Sequence, residues 1–117
     1  MPEGVYLFDA HTHGLKPDLG GDQRSIADTQ PFVAQAPLNL IYVADFAKMR
    51  NAKPEDRPVW SAAGAGFIGQ NVYLYCASEG LATVFRALVD RDVVAKTLNL
   101  RPDQRVTFAQ TVGYRRK

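Results

Sequence analysis

Two histidines stand close together near the amino terminus, in the sequence Asp9-Ala10-His11-Thr12-His13. Histidines two residues apart at the end of a strand can direct their imidazoles toward one metal ion, and metal-dependent hydrolases use such a pair. Those enzymes complete the site with further histidines from later strands, whereas this chain has 2 histidines in all. We therefore expect a polar pair beside a turn that binds no catalytic metal, and metal-dependent hydrolysis is a remote alternative.

A second motif, Gly64-Ala65-Gly66-Phe67-Ile68-Gly69, has the spacing of a dinucleotide-binding fingerprint. That fingerprint works only at a tight turn between a buried strand and a helix, where backbone amides meet a pyrophosphate. The preceding segment, Pro58 to Ala63, is too short and too rich in alanine to be that strand. We interpret the motif as small residues on a helix face, which allow another helix to approach closely.

The motif lies within an uncharged stretch, Val59 to Ser78. Its length of about 20 residues equals that of a membrane span. Its glycines, serines, Gln70 and Asn71 instead favour a buried helix of a soluble protein. Because so small a chain cannot cover this apolar surface alone, we expect the helix to pack against its copy in a homodimer.

The elements that must position these residues can be predicted from hydrophobic periodicity. A strand is expected at Gly4 to Asp9, followed by a turn and loop at Gly14 to Gly21, which together indicate a short hairpin. Leu38 to Ala44 is mostly apolar and predicts a central strand that is covered on both faces. A strand or turn is expected at Thr83 to Leu88, and a last strand at Arg105 to Val112.

Two helices are predicted from their capping residues. The first runs from about Pro58 to Glu79, with Asp56 as its cap and Gly80 as a left-handed residue that ends it. The second is capped by Asp90 and runs to Leu98, with Asn99 at its end. Because helices and strands do not strictly alternate along the chain, we expect the α+β class.

Composition sets the broad class of the protein. The 117 residues are 46% hydrophobic and 22% charged, which indicates a single soluble domain over residues 1–117. The net charge of +2 does not indicate nucleic acid binding, and the basic residues cluster only at Arg115 to Lys117. Cys76 is the single cysteine, and no signal peptide is apparent, so a cytoplasmic location is expected.

The strongest pattern runs from Gln70 through Thr83 and resembles the nitroreductase family, especially its short bacterial members that are similar to SagB-type dehydrogenases. In that family a long central helix carries an Ala-Ala-Asp-x-Gly element and then Gln-Asn, ends at a Glu-Gly-Leu-Gly-Thr-like turn, and is followed by a closing strand that ends in Val-Gly-Tyr. The matching segments here are Ala62 to Gly66, Gln70-Asn71, Glu79 to Thr83 and Gln110 to Tyr114.

The resemblance covers nearly the whole chain, and it implies a nitroreductase-like α+β sheet flanked by helices. Relatives also have an amino-terminal Arg-Arg-Ser-x-Arg element that grips the flavin phosphate. This chain begins after the place where that element would lie, so the resemblance implies a fold that is truncated at the amino terminus. Gly64 stands where the family usually has aspartate, and Arg115 stands where it usually has proline.

The function implied by the resemblance is ping-pong electron transfer from NAD(P)H through FMN to a nitro, quinone or similar acceptor. The turn at Glu79 and Gly80 would lie beside the flavin N5 and donate a backbone hydrogen bond. Leu81, Ala82 and Thr83 would line the same side of the ring, and Arg116 and Lys117 would face the phosphate. No side chain is expected to act as an acid or base. The alternative is a truncated, non-catalytic dimerisation or binding module.

Overall fold

The computed structural model describes residues 3–26 and 31–115, and it confirms the α+β class. The described elements are five strands, three α-helices and two short 3-10 turns. In chain order, the strands and α-helices are β1 (Gly4–Asp9), β2 (Gly14–Gly20), α1 (Pro31–Gln35), β3 (Leu38–Asp45), α2 (Arg57–Glu79), β4 (Leu81–Arg86), α3 (Arg91–Thr97) and β5 (Gln104–Tyr114). None of the helices in these ranges has the length and apolar content needed to cross a membrane.

Strands β1 and β2 form the expected antiparallel hairpin, but the segment predicted as turn and loop is itself a strand. The glycines and Pro17 suggested irregular backbone, because proline lacks the amide that a strand ladder uses. The register between the strands shifts between Val5 and Tyr6, where Tyr6 faces Pro17. This bulge accommodates the proline, and the actual turn is shorter, with His13 in the left-handed region at a φ of 52°.

The three remaining strands form an antiparallel sheet in the order β3-β5-β4. The central strand is therefore β5, and the prediction that Leu38 to Ala44 would be central is wrong. Its apolar run indicated burial on both faces, yet Leu38 and Val43 are exposed. The fully buried positions lie in β5 instead, where Gln110 is 0% exposed because hydrogen bonds satisfy its polar side chain.

Helix α2 begins and ends almost where the sequence predicts. Pro58 lies in its first turn, where its missing amide costs nothing, and Gly80 ends it at a φ of 70°. Asp56 precedes the helix, but its side chain makes no capping hydrogen bond, contrary to the prediction. Its backbone is already helical at φ −87° and ψ −21°, whereas a capping aspartate normally needs extended backbone to reach the first amides.

Helix α3 packs against the sheet and completes the core. Asp90 caps it as predicted, since its carboxylate accepts a hydrogen bond from the Val93 amide at 3.1 Å. Asn99 follows the helix end in the left-handed region, with a φ of 54°. The hydrophobic core cluster consists of Val89, Val94, Val106 and Ala109.

Candidate functional site

A groove of about 280 Å³ lies where α2 meets β4. Gly80 alone connects the two elements, so the chain reverses direction and the strand runs back beside the helix. The residues that line the groove are Tyr73, Cys76 and Ala77 from α2, Leu81, Ala82 and Thr83 from β4, and Arg115, which follows β5. The sharp reversal at Gly80 is thus what creates the groove.

The groove is shallow near the turn because several of the side chains there are small. Cys76, Ala77 and Ala82 present at most one atom beyond Cβ, and Gly80 has no side chain. A Cβ built at Gly80 would meet nothing within 4 Å, so the space in front of this residue is open. The backbone of the turn beside the groove is therefore accessible from outside.

The far end of the groove is closed by a hydrogen bond between the two elements. The backbone amide of Phe85 in β4 donates to the Tyr73 hydroxyl of α2 at 2.7 Å. That amide therefore points away from β5, out of the sheet. Since backbone groups alternate along an antiparallel strand, those of Leu81 and Thr83 point toward the same edge and offer donors and acceptors to a ligand.

A cation stands at the rim of the groove. Leu81 pairs with Tyr114, so the end of β5 lies beside the start of β4 and brings Arg115 to the groove. Sequence reasoning placed the phosphate contact on Arg116 and Lys117, and both lie outside the described residues. The phosphate contact of Arg116 and Lys117 therefore stays a prediction, and Arg115 is the described residue of this basic cluster that lines the groove.

The other predicted site residues divide into two groups. Leu81, Ala82 and Thr83 all line the groove, and their contact with one side of a flavin ring stays a prediction. Glu79 and Gly80 form the exposed turn and are outside the lining. The Gly80 amide donates to the Cys76 carbonyl at the helix end, so the hydrogen bond expected from this turn to a flavin ring does not come from Gly80 in this conformation.

Sequence reasoning missed the helical wall, Tyr73, Cys76 and Ala77. These residues lie seven, four and three positions before Gly80. Residues three and four apart share one face of a helix. The spacing back from the turn is therefore the signal that would have found them.

Buried and partly buried hydrogen bonds join the strands of the sheet to one another and to α2. The Tyr42 hydroxyl donates to Gln110 Oε1 at 2.5 Å, and Gln110 Nε2 donates to the Gly69 carbonyl of α2 at 3.3 Å. Thr83 Oγ1 donates to the Thr111 carbonyl at 2.8 Å. Burial raises the pKa of Tyr42 to about 12, which keeps its hydroxyl neutral as a donor.

The dinucleotide-like spacing has a structural role. Gly64 to Gly69 lies in the middle of α2, which confirms that the segment is helical, but Gly69 is buried whereas Gly66 is exposed, so the glycines do not share one face. A Cβ at Gly69 would come within 2.5 Å of Phe85 Cδ2 and 3.3 Å of Gln110 Oε1. The close neighbour of this glycine is thus the sheet, whereas the sequence suggested another helix.

His11 and His13 lie in the short turn of the β1–β2 hairpin. The His13 ring packs edge-on against Phe8 at 5.4 Å, and the His11 amide donates to Asp9 Oδ1. Lys16 contacts Asp9 at 2.8 Å, and this hydrogen bond lowers the pKa of the carboxyl. Among the described residues, no three histidine, cysteine, aspartate or glutamate side chains group closely enough to hold a metal ion.

Comparison with known proteins gives the same result for sequence and for structure. The family model described as the Nitroreductase family matches residues 5–114. A protein of Methanocaldococcus jannaschii that is provisionally named a nitroreductase is 31% identical over 88 residues, which are 72% of this chain and 44% of that protein. A crystal structure from Ralstonia eutropha, also of a provisionally named nitroreductase, is 38% identical and superimposes with a TM-score of 0.88 over 97% of this chain and 54% of its own. The chain thus spans about half the length of these relatives, and it belongs to the nitroreductase family.

Proposed function

We propose that this chain serves an FMN-dependent oxidoreductase that transfers electrons from NAD(P)H to a nitro, quinone or similar acceptor. The observation that carries the proposal is the groove at Gly80, which combines small walls, outward-facing backbone groups and a cation at its rim. When bound there, a flavin would accept a hydride from NAD(P)H and deliver electrons to the acceptor in a ping-pong reaction. The residues of the groove would bind and orient the flavin.

The residues present fit a flavin in four respects. Leu81, Ala82 and Thr83 supply an apolar wall, and the outward backbone groups of β4 suit the polar edge of a ring. The volume of about 280 Å³ suits part of a ring system and leaves a phosphate outside the groove. Arg115 at the rim offers a charge-assisted hydrogen bond to that phosphate, together with Arg116 and Lys117 that follow it in sequence.

The test is a titration of the purified chain with FMN and with riboflavin, which lacks the phosphate. We expect Arg115→Ala to weaken FMN binding about tenfold or more, because a hydrogen bond to a charged group contributes about 1.5–3 kcal/mol. Riboflavin binding should change little, and removal of residues 115–117 should abolish FMN binding. Arg50→Ala is the control, since Arg50 is exposed and lies outside the groove.

The outcomes separate the candidate functions. Weaker FMN binding in higher salt would support the phosphate contact, because salt screens exposed charges. Equal FMN affinity in the intact and shortened chains would show that the phosphate lies elsewhere. A chain that binds no flavin would contradict the oxidoreductase proposal and favour the non-catalytic module.

The same proposal includes a homodimer that is formed through α2. Trp60, Phe67, Ile68 and Leu74 are large apolar residues of this helix, and each is more than half exposed. Contiguous apolar surface of this kind marks an interaction site. Gly66 has open space around it, so Gly66→Leu can be accommodated within one chain but would crowd a helix that packs there. We expect light scattering to show a dimer at micromolar concentration and disruption by this variant.

A further inference from the structure

Tyr73 occupies a distinctive place in the groove. Seven of the described residues line the groove, and six of them lie between positions 73 and 83. The hydrogen bond between Tyr73 and Phe85 closes this segment. Gly80 bounds this segment at the turn, and Tyr73 bounds it at the other end. The groove therefore lies within a closed helix–turn–strand segment. The backbone at Gly80 bounds the groove at one end, and the side chain of Tyr73 bounds it at the other.

The bond between Tyr73 and Phe85 also joins the two walls directly. The donor is a backbone amide at the edge of β4, so the hydroxyl holds the strand itself and not a movable side chain. The Phe85 ring also contacts the rings of Tyr42 at 5.8 Å and Phe108 at 4.9 Å between centroids, and it packs against Gly69 of α2. The Phe85 ring therefore sets the contact between β4 and α2 at Gly69, and the Tyr73 hydroxyl sets it at the end of the groove, where it binds the strand backbone.

We infer that Tyr73 is a positioning residue that holds the groove at the width of one flat ring system. The inference rests on the proposed function and deepens it, since it assigns ring recognition to the 73–85 loop and phosphate recognition to Arg115. The hydroxyl acts through the β4 backbone, and the Tyr73 ring forms the end wall. Loss of the hydroxyl frees the Phe85 amide and lets the strand edge move relative to the helix.

A purely structural role for Tyr73 makes a different prediction. In that case Tyr73→Phe would lower the stability of the fold and leave the ligand affinity of the folded protein unchanged. Ring positioning instead predicts that affinity for the ring falls by the same factor whether or not a phosphate is attached. Lumiflavin, which is the flavin ring without the ribityl phosphate chain, separates these two contributions when it is compared with FMN.

The experiment titrates lumiflavin and FMN against the full chain as wild type, Tyr73→Phe and Tyr75→Phe. Tyr75 loses the same hydroxyl from the same helix but lies outside the groove lining, so it is the matched control. We expect Tyr73→Phe to weaken both ligands about three- to tenfold, which corresponds to one lost hydrogen bond. The Phe85 amide should also exchange with deuterium faster in this variant, while the Tyr75→Phe protein behaves as wild type.

Each result decides the inference. If wild type binds the ligands and Tyr73→Phe binds them equally well, the positioning role is wrong and the proposed function stands. If wild type binds neither ligand, both the proposed function and this inference fall. If Tyr73→Phe does not fold, deuterium exchange in wild type replaces it: lumiflavin should slow exchange at the Phe85 amide, and an unchanged rate would overturn the inference.

Discussion

The two faces of α2 differ in a way that is the reverse of an ordinary amphipathic helix. The face toward the sheet buries small residues, Ala65, Gly69 and Cys76. The outward face carries large apolar residues such as Phe67, which is 73% exposed, and Leu74, which is 60% exposed. A surface helix normally buries its large apolar residues and exposes polar ones. The inner face of α2 therefore allows close approach to the sheet, and the outer face is where the proposed second subunit would pack.

The largest expected effect is the loss of association when the outer face of α2 is changed. Phe67→Glu places a charge in the proposed dimer contact, where loss of a central aromatic residue costs about 2 kcal/mol or more and weakens association about 30-fold. Sedimentation velocity over a concentration series measures this change. Val93→Glu is the control, because Val93 is an exposed apolar residue of α3. Equal association of the two variants would contradict the assignment of the outer face.

The next effect concerns the inner face, and it compares two glycines of one helix. Gly69→Ala forces a Cβ to within 2.5 Å of the Phe85 ring, whereas a Cβ at Gly64 meets nothing within 4 Å. Overpacking at Gly69 should cost about 1–3 kcal/mol, offset by the roughly 1 kcal/mol that alanine gains over glycine in a helix. Gly64→Ala should keep the gain without the cost. Urea unfolding should therefore give free energies of unfolding that change in opposite directions, and a shift in the same direction would be inconsistent with the close contact.

The smallest effect tests the polar bonds behind the inner face. Burial raises the pKa of Tyr42 to about 12, above its value of about 10 in an unfolded chain. The stability that the neutral hydroxyl contributes is therefore complete below pH of about 10 and is lost as the pH rises toward 12. Tyr42→Phe should lower the free energy of unfolding by about 1 kcal/mol at neutral pH and flatten its decline in this alkaline range. Parallel pH profiles for the two proteins would show that Tyr42 does not contribute.

Local signals in the sequence predicted the parts of the fold that local physics determines. The ends of α2 and the cap of α3 follow from Pro58, Gly80 and Asp90, because proline, glycine and aspartate act on their own backbone. The order of strands was not predictable in this way. The apolar run at Leu38 suggested a central strand, but pairing with residues far along the chain decides which strand lies in the middle, and Gln110 is buried there through bonds that its sequence neighbours do not reveal.

The candidate site also has one part that local sequence predicts and another that depends on tertiary structure. The turn at Glu79 to Thr83 was identified by its resemblance to a family motif, and three of those residues line the groove. The Tyr73–Phe85 bond was not foreseen, because it depends on how the strand returns beside the helix after Gly80. A motif in sequence can locate a turn, but the wall opposite that turn is defined only by tertiary structure.

The central position of β5 has a consequence for how the molecule is made. Both β3 and β4 precede their shared partner in the chain, so neither can enter the sheet until residues 104–114 have been synthesised. The β4–β5 pairs join residues 23 to 33 positions apart, for example Arg86 with Ala109 and Leu81 with Tyr114, while the β3–β5 pairs join residues 59 to 74 positions apart. Because closing a shorter loop costs less chain entropy, we expect β4 and β5 to pair first and β3 to join last. On a ribosome, the strand edge that forms the groove would then appear only when the last of these strands emerges, and β3 would spend the longest time without a partner.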